Sequence, residues 1–127
     1  MIVSLTKIFF LVFVVFSTLF GCQTNPISGR TQFMLVSERS AIAASNEAYV
    51  DVLTPFSEDG KLDNKKRTTA RVVGITELLV AQAIKYRPET SDWNWSVHVI
   101  DDPKTVNAWC MAGGRMAIYT GLIDRLK

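Results

Sequence analysis

Five of the seven phenylalanines in this 127-residue chain lie before residue 21. Ile8 to Phe16 is apolar without a break, and Lys7 stands just ahead of it. The run is shorter than the roughly 20 apolar residues that span a bilayer. Its length and flanks fit the h-region of a secretory signal. A segment of that kind is removed before folding, so the fold must be built from residues 22–127. That length holds one small domain with a modest core.

The four residues after the h-region, Leu19-Phe20-Gly21-Cys22, resemble the bacterial lipobox, with an aliphatic residue at −3, a small one at −1 and then Cys. The resemblance implies a signal peptide over 1–21 and a mature chain that begins at an acylated Cys22. Acyl chains gain about 0.8 kcal/mol per buried CH₂, so several of them hold a protein on a membrane without a spanning helix. Gln23 stands where lipoproteins kept in the inner membrane carry Asp. The expected location is therefore the periplasm-facing side of the bacterial envelope, on the outer membrane.

Charge adds little to that address. The formal net charge is +2, and loss of Lys7 brings it to +1. A near-neutral surface excludes a nucleic-acid reader that works through a basic face. At 48% hydrophobic and 20% charged, the chain has enough apolar surface to fold. Two cysteines cannot build a disulfide framework, and a lone His excludes most His-based metal sites.

Residues 22–36 read as a lipidated tether and linker, with turn formers at Asn25-Pro26 and Ser28-Gly29 and an apolar patch at Phe33-Met34-Leu35-Val36. Ser37 is placed to cap a helix, with Glu38 in its first turn. Ala41, Ile42, Ala44, Ser45, Tyr49, Val52 and Leu53 then recur at helical steps, and Thr54-Pro55 is expected to end the helix. Phe56 to Asn64 reads as a polar loop. A second helix, capped by Asp63 or Asn64, carries a broad apolar face from Val72 to Ile84 and stops at Pro88. Lys65, Lys66 and Arg67 at its start suit a solvated face better than a lipid-binding one.

After a turn over 89–94, Trp95 to Ile100 alternates as a strand, with His98 opposite Trp95, Val97 and Val99. Asn107–Met111 and Arg115–Thr120 are two more extended runs, joined at Gly113-Gly114 as a hairpin. Gly121 to Lys127 begins another helix. The expected fold is α+β: two amphipathic helices packed on a small sheet of about three strands that ends in a hairpin. Leu122, Ile123 and Leu126 lack partners downstream, which points to an incomplete domain over 37–127.

These residues contain no complete active site. There is no H-E-x-x-H, no nucleophile elbow and no phosphate loop. His98 has Cys110, Asp101 and Asp102 as conceivable co-ligands, but no spacing gathers them, and a structural His is the better reading. Cys110, between Trp109 and Met111, reads as an inert thiol.

Three stretches together resemble a family. They are Thr24-Asn25-Pro26-Ile27-Ser28-Gly29-Arg30, the strand ending at Asp101-Asp102, and Asn107-Ala108-Trp109-Cys110-Met111-Ala112-Gly113-Gly114 followed by Tyr119-Thr120-Gly121-Leu122. They resemble the N-terminal part of CAAX-prenyl-protease/HtpX-like zinc metallopeptidases, in the bacterial lipoprotein branch. That family carries an N-A-[FW]-x-x-P-G-G hairpin and then Y-T-G-L; here Ala112 replaces the proline. Its H-E-x-x-H helix and later Glu ligand follow, and neither has a counterpart in this chain, so no catalytic or metal residue is carried over. The resemblance implies the N-terminal segment of a membrane-anchored zinc metalloendopeptidase acting on envelope proteins, inactive as this chain alone. Zinc would belong to the full-length family and not to this piece. The implied substrate-binding edge is Asn107, Ala108, Trp109, Gly113 and Gly114, pairing with extended polypeptide by strand addition. Asn107 is expected to hold the hairpin against the catalytic helix; alternatively Asn107, Trp109 and Tyr119 pack the hairpin onto the second helix. The implied partners are the membrane through Cys22, polypeptide substrates, and a missing C-terminal half. The rival reading is a free-standing small lipoprotein that binds peptides as an adaptor.

Overall fold

A computed structural model describes residues 22–24, 31–33 and 36–126. The signal-peptide assignment over 1–21, the turns at 25–30, Met34-Leu35 and Lys127 lie outside the described residues. The chain divides into two compact units, residues 1–37 and 38–127.

In the first unit, β1 (Cys22–Thr24) pairs antiparallel with β2 (Thr31–Phe33), Cys22 opposite Phe33. The stretch expected as a linker thus contains a short antiparallel strand pair.

The second unit runs α1 (Glu38–Glu58), α2 (Lys66–Tyr86), a 3-10 turn (Pro88–Asp92), β3 (Ser96–Ile100), β4 (Ala108–Met111), β5 (Arg115–Tyr119) and α3 (Thr120–Arg125). The strand order is β3-β5-β4. The last strand therefore sits in the middle, parallel to β3 and antiparallel to β4. Register fixes the faces. His98, Ala117 and Trp109 form one cross-strand row, and Val97, Met116 and Cys110 form the next. Successive residues of a strand point to opposite sides, so the two rows lie on opposite faces.

Helix α1 covers the first face. Tyr49, Leu53, Ile100 and Ala117 are its buried core, with Phe56, Trp109, Met111 and Tyr119 packed around them. Trp109 meets Tyr49 edge-on at 5.7 Å and Tyr119 meets Phe56 at 6.2 Å. The alternative in which Trp109 and Tyr119 pack on the second helix is corrected: both pack on the first. Helix α2 lies against β3 on the other face.

Two helix boundaries differ from expectation. Helix α1 does not stop at Pro55 but contains it. Proline removes one backbone donor and crowds the preceding turn; here the Thr54 hydroxyl donates to Val50 O at 2.7 Å within that turn. Burial of Leu53 and packing of Phe56 carry the helix one turn further, so Phe56 belongs to the core and not to a loop. At the start of α2 the N-cap residue is Lys65, with no side-chain cap. Asn64 instead donates to Gly60 O and to Asp101 Oδ2. Asp63 adopts φ 52°. Its Oδ1 accepts the Val99 N–H at 2.8 Å, its own N–H donates to Val99 O at 2.9 Å, and its Oδ2 pairs with His98 Nδ1. The connector is thereby fastened along the outer edge of β3.

The Tyr119-Thr120-Gly121 corner has a physical basis. Thr120 is buried and donates to Asp101 Oδ1 at 3.3 Å, and the Gly121 N–H donates to Asp102 O at 3.1 Å. Lys65 and Asn64, bonded to the Asp101 carboxylate, hold its pKa below the usual value. The Thr105 hydroxyl at 2.6 Å and the Lys104 N–H at 3.0 Å do the same for Asp102. Depressed carboxylate pKa values mean that this support is complete above the ordinary value of 3.8 and is lost as pH falls through the depressed ones. The protection factor of the Gly121 amide, which removes the intrinsic pH dependence of exchange, should therefore hold down to about pH 4 and fall below it; a protection factor already falling between neutrality and about pH 5 contradicts this.

Candidate functional site

Strand β4 is an edge, and its hydrogen-bond phase decides what it offers. The Tyr119 N–H donates to Asn107 O at 3.0 Å and the Gly114 N–H to Met111 O at 3.3 Å. Asn107, Trp109 and Met111 thus turn their backbone groups inward to β5. By the alternation of an antiparallel pair, Ala108 and Cys110 turn theirs outward. Their N–H and C=O groups make up the outer edge of the sheet among the described residues. No Lys, Glu or Pro interrupts Ala108–Met111, the usual devices that keep an edge from pairing.

Beside this edge, on the α2 face, runs an apolar groove of about 520 Å³. Its walls are Val72, Ile75 and Leu79 of α2 and Val97, Ala108, Cys110, Met116 and Ile118 of the sheet, with Leu126 at one end. Ile75 and Leu79 are 49% and 65% exposed, and α2 has no fully buried residue. Its apolar stripe is wider than its contact with β3. The far side of the same helix borders a second groove of about 460 Å³, between Val80 and Ile84 of α2 and Val97 of β3 with Trp95 just ahead of it.

The expected edge residues divide into two groups. Asn107 and Ala108 are exposed, and Trp109 is half-buried under α1. Gly113 and Gly114 are buried in the turn, with φ of 81° and 80°. A Cβ on Gly113 would lie 2.9 Å from Ile42 Cγ2, and one on Gly114 2.4 Å from Trp95 Cε3. The glycines shape the hairpin beneath Ile42 and Trp95, while the accessible edge is Asn107 to Cys110. The Asn107 carbonyl serves the ladder.

His98 and Cys110 stand on opposite faces of the sheet and cannot form a pair. Burial pushes the Cys110 thiol up, away from the lowered values of nucleophilic thiols. Asp101 pairs with Lys65 at 2.8 Å, and Asp102 is spent on its own loop. The conceivable ligands are therefore not brought together. No group of three or more His, Cys, Asp or Glu among the described residues could hold a metal ion.

The α1 face carries a polar network instead. Tyr49 OH donates to Met116 O at 3.0 Å and accepts from Ser96 Oγ at 3.2 Å. Arg115 donates to Asn46 Oδ1 at 2.9 Å and to Ser96 Oγ at 3.2 Å, and its guanidinium lies 5.5 Å from the Tyr49 ring. Desolvation raises the Tyr49 pKa. These bonds rivet α1 to the hairpin from behind. Sequence reasoning missed this network and the Asp63–His98 clasp. The available signal was Asp63-Asn64, a pair that tolerates left-handed backbone.

The similarity of this chain is to metalloendopeptidases. Human mitochondrial metalloendopeptidase OMA1 is 30% identical over 104 residues, which is 80% of this chain and 19% of the human protein. Mitochondrial metalloendopeptidase OMA1 of Schizosaccharomyces pombe is 30% identical over 102 residues, 80% of this chain and 28% of that protein. The Danio rerio protein is 30% identical over 107 residues, 79% and 20%. The chain thus spans between a fifth and just over a quarter of these relatives' length. No protein-family model matches it, and no solved structure does.

Proposed function

We propose that this chain is the helix–sheet scaffold of a membrane-tethered zinc metalloendopeptidase, and that β4 is the edge on which it lays out extended polypeptide. The observation that carries the reading is the outward N–H and C=O of Ala108 and Cys110 beside the apolar α2 groove, in a chain 30% identical to metalloendopeptidases over 80% of its length. Strand addition gives main-chain affinity without demanding a particular sequence. A peptidase that must straighten its substrate needs that property.

The groove has a second role in this reading. It receives an apolar helix from the remainder of the peptidase, which brings the metal ligands and covers Ile75 and Leu79. Cys22 carries the lipid, and the protein faces the periplasm from the bacterial outer membrane, in the HtpX-like lipoprotein branch. Envelope polypeptides are the substrates. This chain's own part in the reaction is to hold and extend them.

Ala108→Pro tests the edge. The Ala108 N–H points away from β5, so the substitution removes no ladder bond and edge strands tolerate it. Circular dichroism should remain that of the parent. Binding of a fluorescein-labelled casein peptide, read by anisotropy, should weaken about tenfold from the lost main-chain bond. Unchanged binding by a folded variant contradicts strand addition at β4.

A further inference from the structure

The two long helices carry opposite charge on opposite faces of the sheet. Helix α1 has Glu38, Glu47, Asp51 and Glu58 against Arg39. Helix α2 has Lys66, Arg67, Arg71 and Lys85 against Glu77. Arg67, Arg71, Leu78 and Lys85 follow one another at steps of four and seven, so they share one stripe of α2. All four are exposed. Lys66, Arg67 and Arg71 take no ion pair among the described residues, whereas the neighbouring Lys65 is committed to Asp101.

The same stripe is apolar where it is not basic. Leu78, within the stripe, is 71% exposed; Tyr86, at the end of the helix and about 100° round from the stripe, is 84% exposed. A helix with cations and large apolar side chains on its outward surface matches the interfacial class, which lies in the membrane plane with apolar groups among the acyl boundary and Lys or Arg at the phosphates. An acidic face on the far side of the sheet adds orientation, because an anionic surface repels α1 while attracting α2.

We infer that the outward face of α2 rests flat on an anionic phospholipid surface, with α1 turned to the aqueous side. The inference stands apart from the peptidase reading, since it uses neither the β4 edge nor the groove. It reverses the sequence-based preference for a solvated basic cluster. What sequence spacing alone could not supply is the exposure of Leu78 and Tyr86 and the acidic character of the opposite helix.

Amine footprinting tests it on the full chain. The protein is incorporated in phosphatidylcholine vesicles with or without phosphatidylglycerol and pulsed with an acetylating reagent. Lys66 and Lys85 stand about 28 Å apart along α2, from 1.5 Å of rise per residue. Both are protected together only if the helix lies flat. Each basic side chain near an anionic surface shifts the bound ratio about fivefold, so acetylation of both should fall about fivefold or more when phosphatidylglycerol is present. High salt should restore it. Carbodiimide labelling of Asp51 and Glu58 on α1 should not change. The double variant Arg67→Glu, Arg71→Glu should lose the protection at Lys85 while keeping the helical circular dichroism of the parent. Equal acetylation in both vesicles, protection of Lys66 alone, or protection that survives the double variant would overturn the inference.

Discussion

Gly114→Ala should melt the second unit far below the parent. The residue sits at φ 80°, and a Cβ there would lie 2.4, 2.6 and 3.0 Å from three atoms of the Trp95 ring. Left-handed backbone costs a non-glycine residue about 1–2 kcal/mol. Overpacking adds about 1–3 kcal/mol, and the ring cannot yield easily, because Trp95 Nε1 donates to Thr90 O at 2.8 Å. The Gly114 carbonyl also accepts the Ser96 N–H at 3.1 Å, where β3 joins the hairpin. A loss of about 3 kcal/mol or more is a large part of the stability of a small domain. Gly113→Ala provides the internal control. It pays the same backbone strain at φ 81°, but its new Cβ meets the side chain of Ile42, which can turn aside. Thermal melts by circular dichroism should place Gly113→Ala between the parent and Gly114→Ala. A Gly114→Ala variant melting within about 2 °C of the parent would contradict the packing described for the turn.

Gly121→Ala should be nearly as damaging for a different reason. Its backbone is not left-handed, so the whole cost is space. A Cβ would lie 2.4 Å from Thr105 O and 2.7 Å from Pro103 O. Both are backbone atoms, which cannot rotate away as a side chain does. Either α3 or the loop over 103–105 must shift, and the Gly121 N–H bond to Asp102 O at 3.1 Å is the contact most exposed to that shift. The expected loss is about 2–3 kcal/mol, the upper part of the overpacking range. Urea unfolding gives the total, and amide exchange should show the amides of α3 opening first. Parent-like unfolding together with parent-like exchange at α3 contradicts the close approach.

These two glycines show what was legible in the sequence. The Gly-Gly pair between two extended runs marked the hairpin, whereas Gly121 was read only as the start of a helix, and its close approach to the backbone of Pro103 and Thr105 was not legible. Helical spacing located α1 and α2, and alternation located β3. What the local pattern lacked was neighbour identity. Alternation places Val97 and His98 on opposite faces without telling which strand lies alongside, so the central position of β5 was invisible. Pro55 was read as a stop, since a proline's cost is local while the burial of Leu53 and Phe56 that offsets it is tertiary. Asp63 was read as a helix cap because caps and left-handed turns favour the same residues; only the register of β3 places Val99 and His98 within its reach.

The edge residues were legible as a group but not by role. Asn107 and Gly114 look alike in a motif, yet one is exposed ahead of β4 and the other is buried under Trp95. The outward phase of Ala108 and Cys110 depends on the bond between the Tyr119 N–H and Asn107 O, which no spacing rule announces. The apolar face of α2 was recognised, but helical spacing does not measure its width against that of the sheet beneath it. The excess is the groove.

The central claim is that this helix–sheet unit belongs to a larger metalloendopeptidase, whose metal-bearing helix fills the α2 groove. Sequencing the genomic DNA through and beyond the Lys127 codon, with translation of the following few hundred bases in all frames, tests it most directly. The expected result is an H-E-x-x-H on an amphipathic helical stretch shortly downstream, in this frame or a shifted one. Its absence from every frame would contradict the claim.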